Sequence, residues 1–427
     1  MGGLAERLQQ LIRPGDTLWW GQATAEPLTL TRAVVQHRHA LTQGGRLGVF
    51  VGMGVSDTLA PDQADVIDFF GYAAGGPHRK LADAGVLDIL PSHYSHLPGL
   101  IGAGVLPADV VLLQVSPPDE QGRYSLGLVQ EYLPMALQKA RVVIGEVNSA
   151  IPWTHGSVHL KASDFALLIA AEHAPLDQPR AAIGAVEQAI ARHIAGLIED
   201  GATLQLGVGN LPEAVLAALH GHRDLGLHSG AVGDGIAALA EAGVLTNARK
   251  TVDTGVGVGG ILMGGERLRR WAHRNPQIEL RATEYTHHPE VLAASHRLAA
   301  INAAIEVDVT GQINAEVAAG CYVGAVGGAM DFLRGAARSR GGLPIVALPS
   351  TAKGASRIVA QLAGPVSTPR ADAGLIVTEH GVADLRGQTL SRRVRRLIDI
   401  AAPEHREGLE RQAHALLRRC GAAFGAA

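Results

Sequence analysis

The sequence predicts an α/β protein built from two similar open sheets with parallel strands. Short β-branched runs alternate with amphipathic helical stretches, which is the pattern of right-handed βαβ units. The 427 residues suffice for more than one domain, and 53 glycines with only 4% aromatic side chains favour close helix–sheet packing over a β-sandwich. The same alternation starts again near the middle of the chain, so we expect two domains of comparable size.

Three apolar runs in the first half have the length of buried parallel strands and are bounded by turn residues. Two amphipathic stretches between strands predict crossover helices, although Pro134 is unfavourable in the interior of the second one. The predicted strands are RLGVFVG (46–52), DVVLLQVS (109–116) and RVVIGEVN (141–148), and the predicted helices are EPLTLTRAVVQHRHAL (26–41) and EYLPMALQKA (131–140).

A linker is predicted over residues 170–184, which contain two prolines and side chains of mixed polarity. The α/β pattern then resumes, and we place the domain boundary so that the domains are 1–183 and 184–427. The elements predicted after the boundary are the helix AVEQAIARHIAGLIEDG (185–201), the strand TLQLGVGN (203–210) and the helix LPEAVLAALHGH (211–222).

The bulk composition excludes several classes of partner. A formal net charge of −3 gives no basic footprint for nucleic acid, and no apolar run is long enough to span a bilayer. Residues 1–18 lack a basic segment followed by an apolar one, and two distant cysteines, Cys321 and Cys420, do not suggest a disulfide framework. We therefore expect a cytoplasmic protein that binds neither nucleic acid nor membranes.

Glycine-rich segments are the first functional signal. LQLGVGNLPEAVL (204–216) reads as a strand, a turn and a helix, which is where ligands sit in α/β sheets. Gly207 and Gly209 would let backbone N–H groups approach a ligand at the helix N-terminus. Two further clusters, DTGVGVGGILMGG (253–265) and YVGAVGGAMDF (322–332), favour backbone cradles for a large ligand over mere packing turns.

Histidines and carboxylates give weaker signals. Two histidine pairs lack a second ligand pair at a familiar spacing, so no metal site is predicted; they are His93 with His96 and His287 with His288. Four glutamates fall near strand or loop positions, where each is either functional or simply solvated or salt-bridged; they are Glu26, Glu284, Glu306 and Glu316.

Six long motifs, in order along nearly the whole chain, resemble the acetyl-CoA hydrolase/transferase family of class I CoA-transferases. They are LLQVSPPDEQGRYSLG (112–127), LQLGVGNLPEAV (204–215), INAAIEVDVTGQINAE (301–316), GAVGGAMDFLRGA (324–336), PSTAKGASRIV (349–359) and IVTEHGVADLRGQTL (376–390). The resemblance implies two α/β domains of the CoA-transferase type with the active site in the cleft between them. It also implies covalent catalysis, in which a glutamate attacks an acyl-CoA thioester and then carries CoA to an acceptor carboxylate.

The resemblance further implies which residues contact the substrate, an acyl-CoA, with no cofactor bound permanently. The mobile glycine loop matches Gly207, Val208, Gly209 and the adjoining Asn210. The segment that approaches the thioester oxygen matches Gly327 and Gly328, and the segment that helps to bind CoA contains Lys353 and Ser356. A homodimer is compatible with the resemblance.

One position departs from the family pattern where the chemistry depends on it. In LGLHSGAVGDG (225–235), His228 and Ser229 match the residues before the nucleophilic glutamate, and Asp234 and Gly235 match those after it. The position of the glutamate itself is Gly230, and the flanks align without a gap. A glycine forms neither an anhydride nor a thioester, so the family's covalent mechanism is not available at this position.

Two further departures, Ala329 for the usual glutamine and His380 for the usual tyrosine, indicate changed chemistry. Three hypotheses remain open. The chain either processes an acyl-CoA without a covalent intermediate (hydrolysis of a thioester or C–C bond, or decarboxylation), transfers CoA with another carboxylate, or only binds acyl-CoA. For the first, Glu26 and Glu284 are the predicted catalytic carboxylates. A Gly230→Glu variant is expected to raise transfer to acetate if the scaffold is otherwise intact.

Overall fold

The computed structural model describes residues 2–179, 182–207 and 209–419. Two residues discussed above, Val208 and Cys420, lie outside these ranges. The strands of the first half are β1 (Thr17–Trp20), β2 (Leu47–Val51), β3 (Ile67–Gly71), β4 (Leu87–Ile89), β5 (Val110–Val115), β6 (Arg123–Ser125), β7 (Val142–Val147), β8 (His155–Gly156), β9 (His159–Lys161) and β10 (Leu167–Ala170). The helices of this half are α1 (Gly2–Leu11), α2 (Leu28–Gln36), α3 (Arg38–Thr42), α4 (Arg79–Asp83), α5 (Leu97–Gly102) and α6 (Leu133–Lys139).

The second half has the same plan with more strands. Its strands are β11 (Thr203–Leu206), β12 (Gly226–Val232), β13 (Gly257–Leu262), β14 (Ile278–Leu280), β15 (Leu298–Ala303), β16 (Glu306–Asp308), β17 (Ile313–Asn314), β18 (Val317–Ala318), β19 (Cys321–Tyr322), β20 (Leu343–Ala347), β21 (Thr351–Ala352), β22 (Ala355–Ser356), β23 (Ile358–Val359), β24 (Leu375–Thr378) and β25 (Gly381–Asp384). Its helices are α7 (Ala185–Ala195), α8 (Asn210–Ala218), α9 (Asp234–Glu241), α10 (Glu266–Ala272), α11 (Thr283–Thr286), α12 (Pro289–Ala294), α13 (Ala329–Arg338), α14 (Leu390–Asp399) and α15 (Pro403–Arg419).

The two main sheets repeat one topology. The first sheet has the order β10-β7-β5-β1-β2-β3-β4, and the second has the order β25-β24-β20-β15-β11-β12-β13-β14-β8. In each, the chain enters at a central strand, adds three strands on one side and then crosses to the other side. All pairings in these sheets are parallel except β24 with β25. The predicted α/β class with two similar parallel sheets is therefore confirmed.

The predicted strands and helices are present, except that the predicted helix 26–41 is divided at His37 into α2 and α3. One further detail is instructive. Pro134 is the second residue of α6. In the first turn of a helix its missing N–H would have had no partner, so the proline starts this helix instead of breaking it. The predicted linker has no helix or strand over its described residues 171–179. The boundary between residues 183 and 184 stays a prediction, since one strand crosses it: β8, from the first half, pairs with β14 at the edge of the second sheet.

An aromatic cluster fixes the centre of the first sheet. The rings of Trp19 in β1 and Phe50 in β2 stack with their centroids 3.7 Å apart. Tyr132 packs edge-on against both, at 5.4 and 5.5 Å, and its hydroxyl donates to the carbonyl of Trp20 over 3.0 Å. The segment just before α6 is therefore anchored to the central strand. No helix in the described part of the chain is both long enough and apolar enough to cross a membrane.

Candidate active site

A cavity of about 500 Å³ lies where the two sheets meet. Gln22, two residues after β1, lines it from the first half, while Gln205 of β11 and Asn302 of β15 line it from the second. Asn302 Nδ2 donates to Gln205 Oε1 over 3.0 Å. Ligands in open α/β sheets bind where the strand order reverses. In both sheets this point lies at the same cavity.

Glu131 provides a carboxyl group in this cavity. The residue is only 3% exposed, and its Oε2 accepts a hydrogen bond from Gln22 Nε2 over 2.7 Å. Burial raises the pKa of the carboxyl to about 8, although hydrogen bonds with Gln22 and Tyr94 lower it in part. A carboxyl group whose pKa lies near the working pH is suited to general acid–base catalysis.

The Gln22 amide holds Glu131 in one orientation, because both ends of the amide are used. Its Nε2 donates to Glu131 and, over 3.0 Å, to the hydroxyl of Tyr94. Its Oε1 accepts from the hydroxyl of Tyr72 over 2.7 Å and from the backbone N–H of Met53 over 2.8 Å. The carboxyl is therefore positioned by a fully satisfied buried network, which is the condition under which such networks rigidify a site.

The backbone of Glu131 is also fixed from both halves of the chain. Its φ is +45°, a left-handed conformation that non-glycine residues rarely adopt. Its carbonyl accepts the N–H of Thr283 over 2.9 Å, and the next side chain, Tyr132, is locked into the aromatic cluster. Unfavourable backbone conformations of this kind persist where several contacts with the surrounding structure hold them, and they are most frequent at functional sites.

Gly230, where the resemblance predicts the family nucleophile, lies near this carboxyl group. It belongs to β12 and lines the cavity. A Cβ atom built on Gly260 of the neighbouring strand would lie 2.6 Å from the carbonyl oxygen of Gly230 and 3.2 Å from Cγ of Glu131. The side chain of Glu131 and the backbone of Gly230 are therefore neighbours. The chain has no glutamate at this position of β12, but Glu131 of the first half brings a carboxyl group to the same cavity.

His287 lies on the side-chain face of Gly230. A Cβ atom on Gly230 would lie 3.1 Å from Cε1 and 3.3 Å from Nε2 of His287. The residue is 4% exposed, and its ring packs 4.6 Å from that of Phe332 and 5.2 Å from that of Tyr94. The imidazole thus occupies space that a longer side chain at position 230 would need.

The two carboxylates selected from the sequence lie elsewhere. Glu26 is buried, and its carboxyl accepts hydrogen bonds from Thr31 over 2.7 Å and Ser56 over 2.6 Å. Glu284 is exposed on α11. Neither is among the described residues that line the cavity. The structure therefore does not bring either of them to Gly230, and their catalytic role remains a sequence-based prediction.

The glycine loops come together at the cavity, whereas the predicted CoA segment does not. Gly207, Gly327 and Gly328 line the same cavity as Gly230. Gly209 and Asn210 line an adjoining cavity of about 320 Å³.

Lys353 and Ser356 belong to the hairpin of β21 and β22, where Thr351 pairs with Ser356. The hydroxyl of Ser356 donates to the carbonyl of Ile358, and the side chain lines a separate groove against α15. A role for either residue in CoA binding is thus left to the resemblance alone.

The sequence did not predict that Glu131, Gln22 and His287 line the cavity. Glu131 had been assigned to the predicted helix 131–140, but that helix begins at Leu133, and the signal was Pro134. A proline marks the first turn of a helix, so the preceding glutamate belonged to the loop that enters the site. His287 had been considered only as half of a metal-binding pair. Within the described residues, no three histidine, cysteine, aspartate or glutamate side chains cluster as a metal site.

Two parallel α/β sheets with a carboxyl group and glycine loops between them are the architecture that the resemblance to CoA-transferases predicts. Residues 4–170 match the acetyl-CoA hydrolase/transferase N-terminal domain, and residues 264–413 match the C-terminal domain of the same family. The chain belongs to the acetyl-CoA hydrolase/transferase family.

Similar proteins include both transferases and hydrolases. The 4-hydroxybutyrate coenzyme A transferase of Clostridium kluyveri is 37% identical over 409 residues, which are 95% of each chain. An acetyl-CoA hydrolase of Neurospora crassa is 28% identical over 345 residues, which cover 69% of this chain and 63% of the hydrolase. The crystal structure of RipA from Yersinia pestis superposes with a TM-score of 0.91 at 30% identity and covers 96% of both chains. The predicted family is therefore confirmed, and the chain is an acyl-CoA-processing enzyme of that family.

Proposed function

We propose that the protein hydrolyses an acyl-CoA thioester, with Glu131 as the general base for an attacking water molecule. The observation that carries the proposal is that a buried carboxyl group with a pKa of about 8 faces the cavity next to Gly230. The position that would otherwise form a covalent intermediate has no side chain. A carboxylate and room for water therefore lie together where the family resemblance places the thioester.

The proposed step balances with water as the only second reactant. The ionised carboxylate of Glu131 takes a proton from water as the water oxygen attacks the thioester carbon. The tetrahedral intermediate then expels the CoA thiolate, which receives the proton from Glu131. The products are a free carboxylic acid and CoA, and the enzyme returns to its starting state.

Transfer of CoA is the second candidate, and the same carboxylate favours it. Glu131 in its ionised form is itself a nucleophile, so it could form an acyl-glutamyl anhydride and then a glutamyl-CoA thioester. The network that binds Oε2 of Glu131 argues for the hydrolytic role, because Gln22 fixes the carboxyl in one orientation. Acyl-CoA binding without turnover is the third hypothesis, and it becomes an outcome of the test.

The first experiment incubates the purified protein with acetyl-, butyryl- and isobutyryl-CoA in H₂¹⁸O, with and without acetate, and follows all CoA species and acids by mass spectrometry. Hydrolysis by direct water attack yields free CoA independently of acetate and places ¹⁸O in the product acid in a single turnover. Acetate-dependent acetyl-CoA from butyryl-CoA would establish transfer instead, and ¹⁸O in a peptide that contains Glu131 would establish hydrolysis through a covalent intermediate. Unchanged acyl-CoA with measurable binding would leave only the binding role.

The hydrolysis rate is expected to rise with pH through a midpoint near 8 and to level off above it. The base form of Glu131 is the ionised form, and burial keeps most of it protonated below that pH. The acidic groups that face Glu131 are Tyr72, Tyr94 and Tyr132, whose pKa values are all raised, so they stay neutral in this range. The measurement is kcat/KM for butyryl-CoA between pH 5.5 and 9.5.

Lys250 also has a pKa of about 8, which burial lowers from the usual value of a lysine. A Glu131 variant shows which of the two groups produces the midpoint. Lys250 donates to the carbonyls of Leu227 and Val256 and is not among the described residues that line the cavity. The residual activity of Glu131→Gln should show no midpoint near 8. A profile that falls with pH in the wild-type protein would instead indicate that Glu131 acts as a proton donor.

A further inference from the structure

The imidazole of His287 touches both backbone segments at which the glycine loops meet. Its Nε2 lies 3.3 Å from the position of a Cβ atom on Gly230 and 2.5 Å from that of a Cβ atom on Gly328. Any side chain at either position would collide with the ring or press against it. The ring therefore fills the corner of the cavity between β12 and the start of α13, with its Nε2 edge towards both glycines.

The hydrogen bonds of Thr286 determine which ring nitrogen carries the proton. Its Oγ1 lies 2.8 Å from His287 Nδ1 and 3.4 Å from the carbonyl of Ala282. The carbonyl of Ala282 already accepts the N–H groups of Tyr285 and Thr286, so we assign the hydroxyl hydrogen to the shorter contact, in which Thr286 donates to Nδ1. The neutral ring then carries its proton on Nε2. The only hydrogen bond of the ring within the described residues is made by Nδ1, and His287 lines the cavity, so the N–H group at Nε2 is available to a ligand.

Burial keeps this imidazole neutral at every working pH. Its pKa is lowered to about 3, first by burial and then by the nearby His228. His228 is itself buried, with a pKa lowered to about 4, and the remaining titratable neighbour is the neutral Tyr94. A neutral imidazole is a hydrogen-bond donor that does not lose its proton, which is the form used to polarise a carbonyl group.

The ring is held firmly enough to act as a preorganised donor. His228 Nε2 forms a hydrogen bond of 3.0 Å with the carbonyl of Thr286, and this contact holds the C-terminal end of α11 in place. Tyr94 and Phe332 pack against the ring from two other directions. Donors that are fixed before the reaction stabilise developing charge without the cost of reorganisation.

A second set of donors lies beside it. Gly328 is the N-cap of α13, a helix of 10 residues, and Gly328 and Ala329 line the cavity. The N–H groups of a first helical turn have no carbonyl partner inside the helix and favour negative charge. The cavity corner beside Gly328 therefore offers backbone donors and the Nε2–H group together.

We propose that His287 is a catalytic residue whose Nε2–H group donates a hydrogen bond to the thioester oxygen. This inference rests on the proposed function, because it assigns the oxyanion contact of the same hydrolysis. As water attacks, the carbonyl oxygen gains a negative charge, and the hydrogen bond with His287 strengthens. No proton leaves the imidazole, and when the CoA thiolate departs the oxygen becomes a carbonyl oxygen again. Glu131 moves the proton, and His287 stabilises the charge.

The test compares His287→Ala, His287→Gln and a matched control, His288→Asn. The neighbouring His288 is exposed and its ring caps α12 by accepting the N–H of Glu290, a function that asparagine retains. Removal of one oxyanion donor costs about 10²–10³-fold in kcat. We expect this loss in His287→Ala with the KM for butyryl-CoA and the pH midpoint near 8 unchanged, and a smaller loss in His287→Gln, whose amide keeps an N–H donor. His288→Asn should retain wild-type kcat.

A spectroscopic measurement separates this inference from the proposed function. The probe is the analogue of butyryl-CoA in which a methylene group replaces the thioester sulfur, because its ketone binds but is not hydrolysed. In the wild-type protein the infrared carbonyl band of the bound probe should shift to lower wavenumber, and the shift should be smaller in His287→Ala. An unchanged shift or an unchanged kcat in that variant would overturn the role of His287. Failure of the wild-type protein to hydrolyse any acyl-CoA, with the His287-dependent shift still present, would overturn only the hydrolysis.

Discussion

Replacement of Glu131 with glutamine is expected to lower kcat for butyryl-CoA about 10³-fold and, at pH 9, to raise the free energy of unfolding. General acid–base groups contribute about 10²–10⁴-fold, and the glutamine amide cannot take a proton from water. The amide can still accept the hydrogen bond from Gln22, so the buried network survives. The measurements are steady-state kinetics and urea unfolding of the same two proteins.

The stability gain follows from the burial of an ionisable group. In the folded chain the pKa of Glu131 is about 8, against 4.5 for an ordinary glutamate. Between these values the folded state holds a proton that the unfolded state has released, so the free energy of unfolding falls as pH rises through this window. Ionisation of Glu131 above pH 8 costs on the order of 5 kcal/mol, at 1.36 kcal/mol per pKa unit. Glutamine removes this cost.

The difference in stability between the variant and the wild-type protein should therefore be small at pH 4.5, grow up to about pH 8 and stay constant above it. Glu131→Asp provides the control, because it keeps an ionisable group but withdraws the carboxyl by one methylene. It should lose activity while retaining a pH-dependent stability. Full activity in Glu131→Gln together with lost activity in Glu26→Gln would indicate that Glu26, which was predicted from the sequence, is the general base.

Restoring the family glutamate is expected to need two substitutions. Gly230→Glu alone should give little acetate-dependent transfer, because its Cβ would lie 3.1 Å from His287 and 3.6 Å from Phe332. Such overpacking typically costs about 1–3 kcal/mol. Gly230→Glu combined with His287→Ala opens the space for the new side chain. Because the same change removes the donor proposed for His287, we expect the double variant to convert butyryl-CoA and acetate into acetyl-CoA slowly, but above the background of either single variant.

Gly230→Gln combined with His287→Ala is the matched control, because glutamine fills the same space without a nucleophilic oxygen. Trapping of the new carboxylate with hydroxylamine or borohydride during turnover would identify the glutamyl-CoA thioester directly. A transfer rate that rises equally in Gly230→Glu alone would show that the His287 side chain moves aside at little energetic cost. No transfer in a folded double variant would mean that the acceptor pocket itself has changed.

Local patterns predicted the strands and helices well because the length and apolar periodicity of each element are encoded in a short segment. Apolar runs of the right length became β2, β5 and β7, and the restart of the pattern became the second sheet. The glycine loops were also found from local signals, since the carboxyl end of a parallel strand is a ligand site in any such sheet. The pairing of two sheets around one cavity came from the family resemblance.

The position of the Glu131 carboxyl group could not be predicted in this way, because contacts with residues distant in the sequence determine it. Glu131 is fixed by Gln22, 109 residues earlier, and by Thr283 in the other half of the chain. Glu26 looked equally functional in the sequence, yet Thr31 and Ser56 hold it away from the cavity. No periodicity distinguishes the two glutamates, since both precede a helix that begins near a proline.

The short strand β8 has a consequence for how the protein is made. It is synthesised with the first half of the chain, yet its partner, β14, follows more than a hundred residues later. At translation rates of about 5–20 residues per second, the partner emerges on the order of ten seconds after β8. The β8 edge of the second sheet can pair only then, and the bridge that brings Glu131 next to Ala282 of the second half forms in the same stretch of chain. The strands β15, β20, β24 and β25 of this sheet follow later still. The cavity around Glu131 is therefore completed only after the segments of the second half that line it have been synthesised.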